Sequence, residues 1–271
     1  MRKIDRVRWV PFLGVSGLAI GAAATVAFGW SHARSAHPEQ RSYLGANIAE
    51  LASRLPPPPR EPAVAAADQR AFVATRALQG SRRWEQAASD AKQSAPALLE
   101  TFSCAAGVEL DADRAPLLAE LLATAGADSA HVASSAKNIF LRPRPYTLYA
   151  GPTCLPADNL GAKHDYPSGH AARGWTWALI LAELLPDRRT QLMSRAKAYG
   201  ESRVVCGFHS PTGVDAGRRV ALLTVPVLMA DAQFKADLRA ASAELSTLRQ
   251  KGQLPAARNC QSESTLAHYP Y

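Results

Sequence analysis

Apolar positions recur along this chain at helical spacings of three and four residues, in one segment after another. Residues 40–54 follow this pattern up to Leu55, where Pro56 to Pro59 impose a stiff, extended strap. Residues 62–92 place Phe72, Val73, Leu78 and Trp84 on helical faces and predict two helices, broken near Gly80-Ser81. A helix over about 95–105 comes next. Asp113 is placed to cap a helix carrying Leu117, Leu118, Leu121 and Leu122 that stops at Gly126, and Asp128 to start another that runs to about Leu141. Pro143 and Pro145 end it. Residues 146–166, with Gly151-Pro152, Pro156, Asp158-Asn159 and Gly161, predict a loop. The pattern resumes in a helix opened by Ser168, then over 187–205, from about Thr212 to Met229 with a kink at Pro226, and over 231–249. Strand signals are nearly absent: no sustained period-two alternation, and no hairpin dipeptide between β-branched runs. The fold class is all-α, without an internal repeat.

The start of the chain changes the picture. Arg2, Lys3, Arg6 and Arg8 precede an apolar run from Val10 to Trp30, followed by small and polar residues through Ala36. Residues 1–36 read as an export signal, cleaved after Ala33 or Ser35, or as an uncleaved N-terminal anchor. This predicts a periplasmic or secreted protein, with a domain over 37–250 and an irregular tail over 251–271. The leader holds about half of the overall net charge of +8. The remainder is mildly basic and has no basic run interleaved with aromatics, which argues against nucleic acid as a partner. Beyond the leader no stretch is apolar enough to span a membrane. The four cysteines, Cys104, Cys154, Cys206 and Cys260, form no CxxC pair, which argues against a structural zinc site. An even count in an exported chain suggests two disulfides, in any of three pairings.

Three clusters carry candidate chemistry. Lys137 lies on the last turns of a helix, with Arg144-Pro145 just past its end. Pro167-Ser168-Gly169-His170 opens the next long helix, whose first N–H groups and dipole favour an anion. Ser202-Arg203 is followed by His209 at a break between helices. Each alone reads as ordinary surface charge, a helix salt-bridge partner or a capped turn. Together they offer three permanent cations, a helix N-terminus and two histidines, which suits a tetrahedral oxyanion with a nucleophile and a general acid beside it.

These segments resemble the three-part phosphatase motif of the type-2 phosphatidic acid phosphatase and vanadium haloperoxidase superfamily. The likeness is nearest to the bacterial class A non-specific acid phosphatases. It extends to Leu55 through Pro59, Thr153-Cys154, Glu201 through Gly207 and Val214 through Arg218, and covers about residues 42–248. It implies a single-domain helical bundle that hydrolyses small phosphate monoesters without cofactor or metal, and leaves a homo-oligomer open. Lys137, Arg144, Arg203, Ser168 and the Gly169 N–H would hold the phosphate. His209 would attack phosphorus to give a phosphohistidine, and His170 would protonate the leaving alcohol, with an acidic optimum. Cysteines stand at 154 and 206 in that class too, which implies Cys154–Cys206 and leaves Cys104–Cys260.

One position departs from the motif. An aspartate is expected four residues after the nucleophilic histidine, where it fixes the imidazole tautomer; here that residue is Gly213. Asp215 is the expected substitute, with Thr212 the other polar group nearby and water an alternative. Two function classes follow: a working phosphomonoesterase, and a phosphate- or phosphoester-binding protein with impaired turnover. On this reading Gly213→Asp raises activity. A vanadium-dependent haloperoxidase is a third reading. An integral lipid phosphatase is disfavoured by the single apolar leader.

Overall fold

The computed structural model describes residues 41–156, 164–255, 260, 261 and 263. The expected leader over 1–36 and its expected cleavage sites lie outside these residues. Among the described residues there are ten α-helices and no strand: α1 (Asn47–Ser53), α2 (Pro62–Arg76), α3 (Arg82–Ser89), α4 (Ala95–Ala106), α5 (Pro116–Phe140), α6 (Pro145–Leu148), α7 (Gly169–Leu184), α8 (Arg189–Val205), α9 (Pro211–Ala230) and α10 (Ala232–Gln250). The chain is all-α, as its periodicity predicts.

Helix α7 is the axis of the fold, wrapped by α5, α8 and α9. Its apolar residues are not confined to one stripe: Ala171, Ala172, Trp177, Ala178, Ile180, Leu181 and Ala182 are all fully buried. A helix buried on most faces needs small residues where neighbours approach, and alanine supplies them at no cost in helix propensity. Trp177 is the largest fully buried side chain. Truncating such a residue to alanine costs about 3–5 kcal/mol.

Residues 113–141 depart from the two-helix expectation. Helix α5 runs unbroken through Gly126, and Pro116, rather than Asp113, stands in its first turn. Gly126 is a packing position: a Cβ there would lie 2.5 Å from the Trp177 indole nitrogen. Asp128 is buried inside α5 and accepts hydrogen bonds from the Tyr43 and Leu44 N–H groups and the Ser42 hydroxyl, tying the segment before α1 onto the bundle. Tertiary partners thus use the two residues that locally signal a stop and a start. The expected loop over 146–166 holds the end of the short helix α6, while residues 157–163 lie outside the described ones.

Two disulfides join Cys154 to Cys206 and Cys104 to Cys260, the pairing the resemblance implies. In the tail, Cys260, Gln261 and Glu263 have helical backbone, and Glu263 pairs with Arg195.

Candidate active site

Each candidate residue sits at a helix end or in a break, where backbone groups lack helical partners. Lys137 is in the last turn of α5, and its ammonium donates to the His164 carbonyl at 3.0 Å. Beyond it Pro143 and His164 pair in an isolated antiparallel bridge, which brings the segment before α7 alongside the end of α5. Arg144 precedes α6, and its Nη1 donates to the Phe208 carbonyl at 3.1 Å. Ser168 caps α7, its hydroxyl accepting from the Ala171 N–H at 3.3 Å, and Gly169 is the first helical residue. Arg203 lies in the last turn of α8, and His209 in the break before α9. All six polar or charged side chains named (Lys137, Arg144, Ser168, His170, Arg203, His209) are buried.

A buried guanidinium whose N–H groups lack partners is costly unless an anion completes the site. Arg203 is the clearest case. Its guanidinium lies over the Phe208 ring at 4.6 Å, while Nε and Nη1 are buried with no hydrogen-bond partner. Burial lowers the pKa of Lys137 to about 7, and the nearby charges of Arg144 and Arg203 push the same way. Burial also carries His170 well below its ordinary value, again reinforced by Arg203. The arrangement can hold an oxyanion, and it can do so most strongly when Lys137 is charged.

His209 is fixed at both ring nitrogens. Its Nδ1 lies 2.7 Å from the Asp165 carbonyl oxygen and 2.9 Å from Asp165 Oδ1. The carbonyl and the ionised carboxylate are acceptors only, so Nδ1 carries the proton. Nε2 lies 3.3 Å from Arg144 Nη1, which can only donate, so Nε2 presents its lone pair. Burial and the Arg144 charge lower the His209 pKa far enough to keep the ring neutral, against the opposing pull of Asp165. His170 is held differently: its Nε2 faces the Ala91 carbonyl at 3.2 Å, and its ring stacks on Tyr199 with centroids 5.8 Å apart.

The structure therefore brings Lys137, Arg144, Ser168, Gly169, His170, Arg203 and His209 to one locus, and leaves Asp215 out. The Asp215 carboxylate is taken by Arg218 at 2.8 Å and Arg219 at 2.9 Å, the partners one helical turn along α9. The expectation that Asp215 backs His209 is corrected by Asp165, a residue the sequence reading passed over. Nothing in spacing or periodicity marks Asp165. Its only signal was adjacency to the motif at Tyr166-Pro167. Among the described residues no three His, Cys, Asp or Glu side chains gather as a metal site.

The PAP2 superfamily pattern matches residues 116–237, the span from α5 into α10 that carries every candidate residue. Over 245 residues the chain is 36% identical to an acid phosphatase of Zymomonas mobilis, covering 89% of this chain and 93% of that relative. The chain belongs to the non-specific acid phosphatases of the PAP2 superfamily. Further members are similar: the non-specific acid phosphatase of Providencia stuartii is 36% identical over 72% of this chain and 80% of its own length. That of Salmonella typhimurium is 36% identical over 71% and 78% respectively. The chain is thus an acid phosphatase with the all-α PAP2 fold, and phosphoesters are its substrates.

Proposed function

We propose that this phosphatase is exported and hydrolyses phosphate monoesters in two steps through a phosphohistidine at His209, with no metal required. The observation that carries this is the pairing of a tautomer-fixed, neutral His209 with the unpartnered buried N–H groups of Arg203. Lys137, Arg144 and Arg203, with Ser168 and the first N–H groups of α7, hold the phosphoryl oxygens and take up the charge that develops on them. The lone pair of His209 Nε2 attacks phosphorus. The P–O ester bond breaks, its electron pair leaves with the alcohol oxygen, and a proton from His170 neutralises that oxygen. Water then attacks phosphorus, the P–N bond breaks, and one proton of that water returns to His170. His209 is left neutral, as it began.

The charge problem that metals solve in other phosphoryl-transfer sites is met here by two guanidinium groups and the Lys137 ammonium, whose charge is favoured below about 7. In the free enzyme burial, reinforced by the Arg203 and Arg173 charges, keeps His170 neutral. A phosphoester among the site's cations reverses the sign of the local field and raises the His170 pKa, so that bound substrate arms its own general acid. An acidic working range follows, because both the Lys137 charge and the His170 proton are favoured below neutrality. The basic, apolar segment at 1–36 supports export and action outside the cytoplasm.

The decisive experiment is trapping of a phosphorylated enzyme from labelled aryl phosphate, with the bond typed by its acid lability and base stability. A His209→Ala variant is run in parallel, with hydrolysis measured over a panel of phosphomonoesters. A phosphoenzyme absent in wild type, or still formed by His209→Ala, would sink the reading.

A further inference from the structure

Asp165 is among the most thoroughly occupied side chains in the molecule. Its Oδ1 accepts from His209 Nδ1 at 2.9 Å and from the Ser210 N–H at 3.0 Å. Its Oδ2 accepts from the Ser210 hydroxyl at 2.7 Å and from the Arg142 guanidinium. Arg142 in turn donates to Thr212 Oγ1 at 2.7 Å and lies 3.6 Å from Asp68, so the carboxylate is braced from α2, from the end of α5 and from the start of α9. A carboxylate held by three donors and a guanidinium has one orientation, and it fixes the imidazole it faces.

Gly213 stands directly across from it. The Gly213 carbonyl accepts from the Ser168 N–H at 2.8 Å, so the two segments are stitched together at backbone level. A Cβ at 213 would lie 2.7 Å from Asp165 Oδ1 and 3.2 Å from the Asp165 carbonyl oxygen. No rotamer relieves a clash with a carboxylate pinned on both oxygens. The space a side chain at 213 would enter is already filled by the Asp165 carboxylate.

We propose that Asp165 is the positioning residue of His209, that it delivers from the segment before α7 the carboxylate that position 213 lacks, and that the two positions exclude one another: a carboxylate at one requires a small residue at the other. This rests on the phosphohistidine reading for His209. It reverses the expectation that Gly213→Asp raises activity. Added to a chain that keeps Asp165, that substitution sets a second carboxylate against the first, in van der Waals overlap and with like charge. It lowers activity.

The exchange of the two positions tests this. Asp165→Asn, Asp165→Ser, Gly213→Asp and the double variant Asp165→Ser/Gly213→Asp are assayed on an aryl phosphate, with inorganic phosphate as competitive inhibitor. Asp165→Asn is expected to lower kcat about 10²- to 10⁴-fold, the range seen when an orienting carboxylate is neutralised, with KM and phosphate inhibition changed little. Gly213→Asp alone falls at least about tenfold, and the double variant recovers at least about tenfold over Asp165→Ser. A folded Asp165→Asn enzyme with kcat near wild type overturns the proposal, as does a folded double variant no better than Asp165→Ser. Should the variants fail to fold, the wild-type enzyme decides. Nitrogen-15 spectra must show His209 protonated at Nδ1 with a strongly downfield proton, and an Nε2–H tautomer overturns the proposal. His209→Ala separates the two layers. If it is inactive while Asp165→Asn works, only the Asp165 role fails; if it is active, the phosphohistidine reading fails beneath it.

Discussion

His209 and His170 are both buried beside the same cations, yet their surroundings differ in kind. His209 is gripped by a carboxylate, a backbone carbonyl and a guanidinium, which together fix both ring nitrogens. His170 has one backbone carbonyl, from Ala91, and a stacking ring, Tyr199. The residue next to Ala91 belongs to a separate buried network: Asp90 accepts from Arg195 at 2.6 Å and from the Ser202 hydroxyl at 2.5 Å. That network positions the Ala91 carbonyl without adding negative charge to His170 itself. On the proposed phosphohistidine mechanism, the difference matches what a nucleophile and a general acid each need. A nucleophile must be neutral, oriented and of one tautomer before substrate arrives. A general acid must gain its proton when substrate arrives, so a permanent carboxylate beside it would be counterproductive.

The sharpest way to break this contrast is to remove the acid and vary the leaving group. His170→Ala should lower kcat about 10²- to 10⁴-fold on an alkyl phosphate and far less on a nitrophenyl phosphate, whose oxygen leaves without a proton. Equal losses on both substrates would remove His170 from proton transfer.

The next effect is on affinity. Lys137 titrates near 7 because burial, Arg144 and Arg203 disfavour its charge. Inhibition by inorganic phosphate should weaken above that pH by up to about tenfold per unit relative to Lys137→Arg, whose guanidinium stays charged. Identical pH profiles for the two enzymes would show that the ammonium does not titrate in this range.

A smaller but direct signature is the His170 resonance. Its pKa lies below the ordinary histidine value in the free enzyme, through burial and Arg203. Saturating phosphate should raise it, while His209 stays neutral. A His170 pKa unmoved by phosphate would refute arming by substrate.

The smallest effect is on stability. His209 has a depressed folded pKa, so the unfolded chain binds more protons below about 6.5 and stability falls as pH drops through that value. Asp165 is also depressed: burial alone would raise it, but His209, Arg142 and Ser210 outweigh burial. Its contribution is present above the ordinary aspartate range and is lost as pH falls below it. Thermal midpoints should therefore decline in two stages on acidification, and His209→Gln should flatten the upper one. A single late decline in wild type would contradict a buried neutral His209.

Much of the fold could be read from periodicity, because each amphipathic helix carries its own pattern. The two stop-and-start signals at Gly126 and Asp128 misled because their uses are non-local: Gly126 makes room for Trp177, and Asp128 anchors Tyr43 and Leu44. In the site, the three motif segments were legible since their residue types and spacings are tied to helix ends. The partner of His209 was not. Asp165 precedes it by 44 residues, and nothing local to either distinguishes that pair from His209 with Asp215.

The amino-acid sequence by itself determined the helical class, the phosphatase motif and the residues able to form a phosphate cradle. These follow from local periodicity, capping and chemical type. Only the tertiary structure decided which carboxylate meets His209. That choice depends on backbone stitching between Ser168 and Gly213 and on the absence of a single Cβ, distances that chain order does not encode.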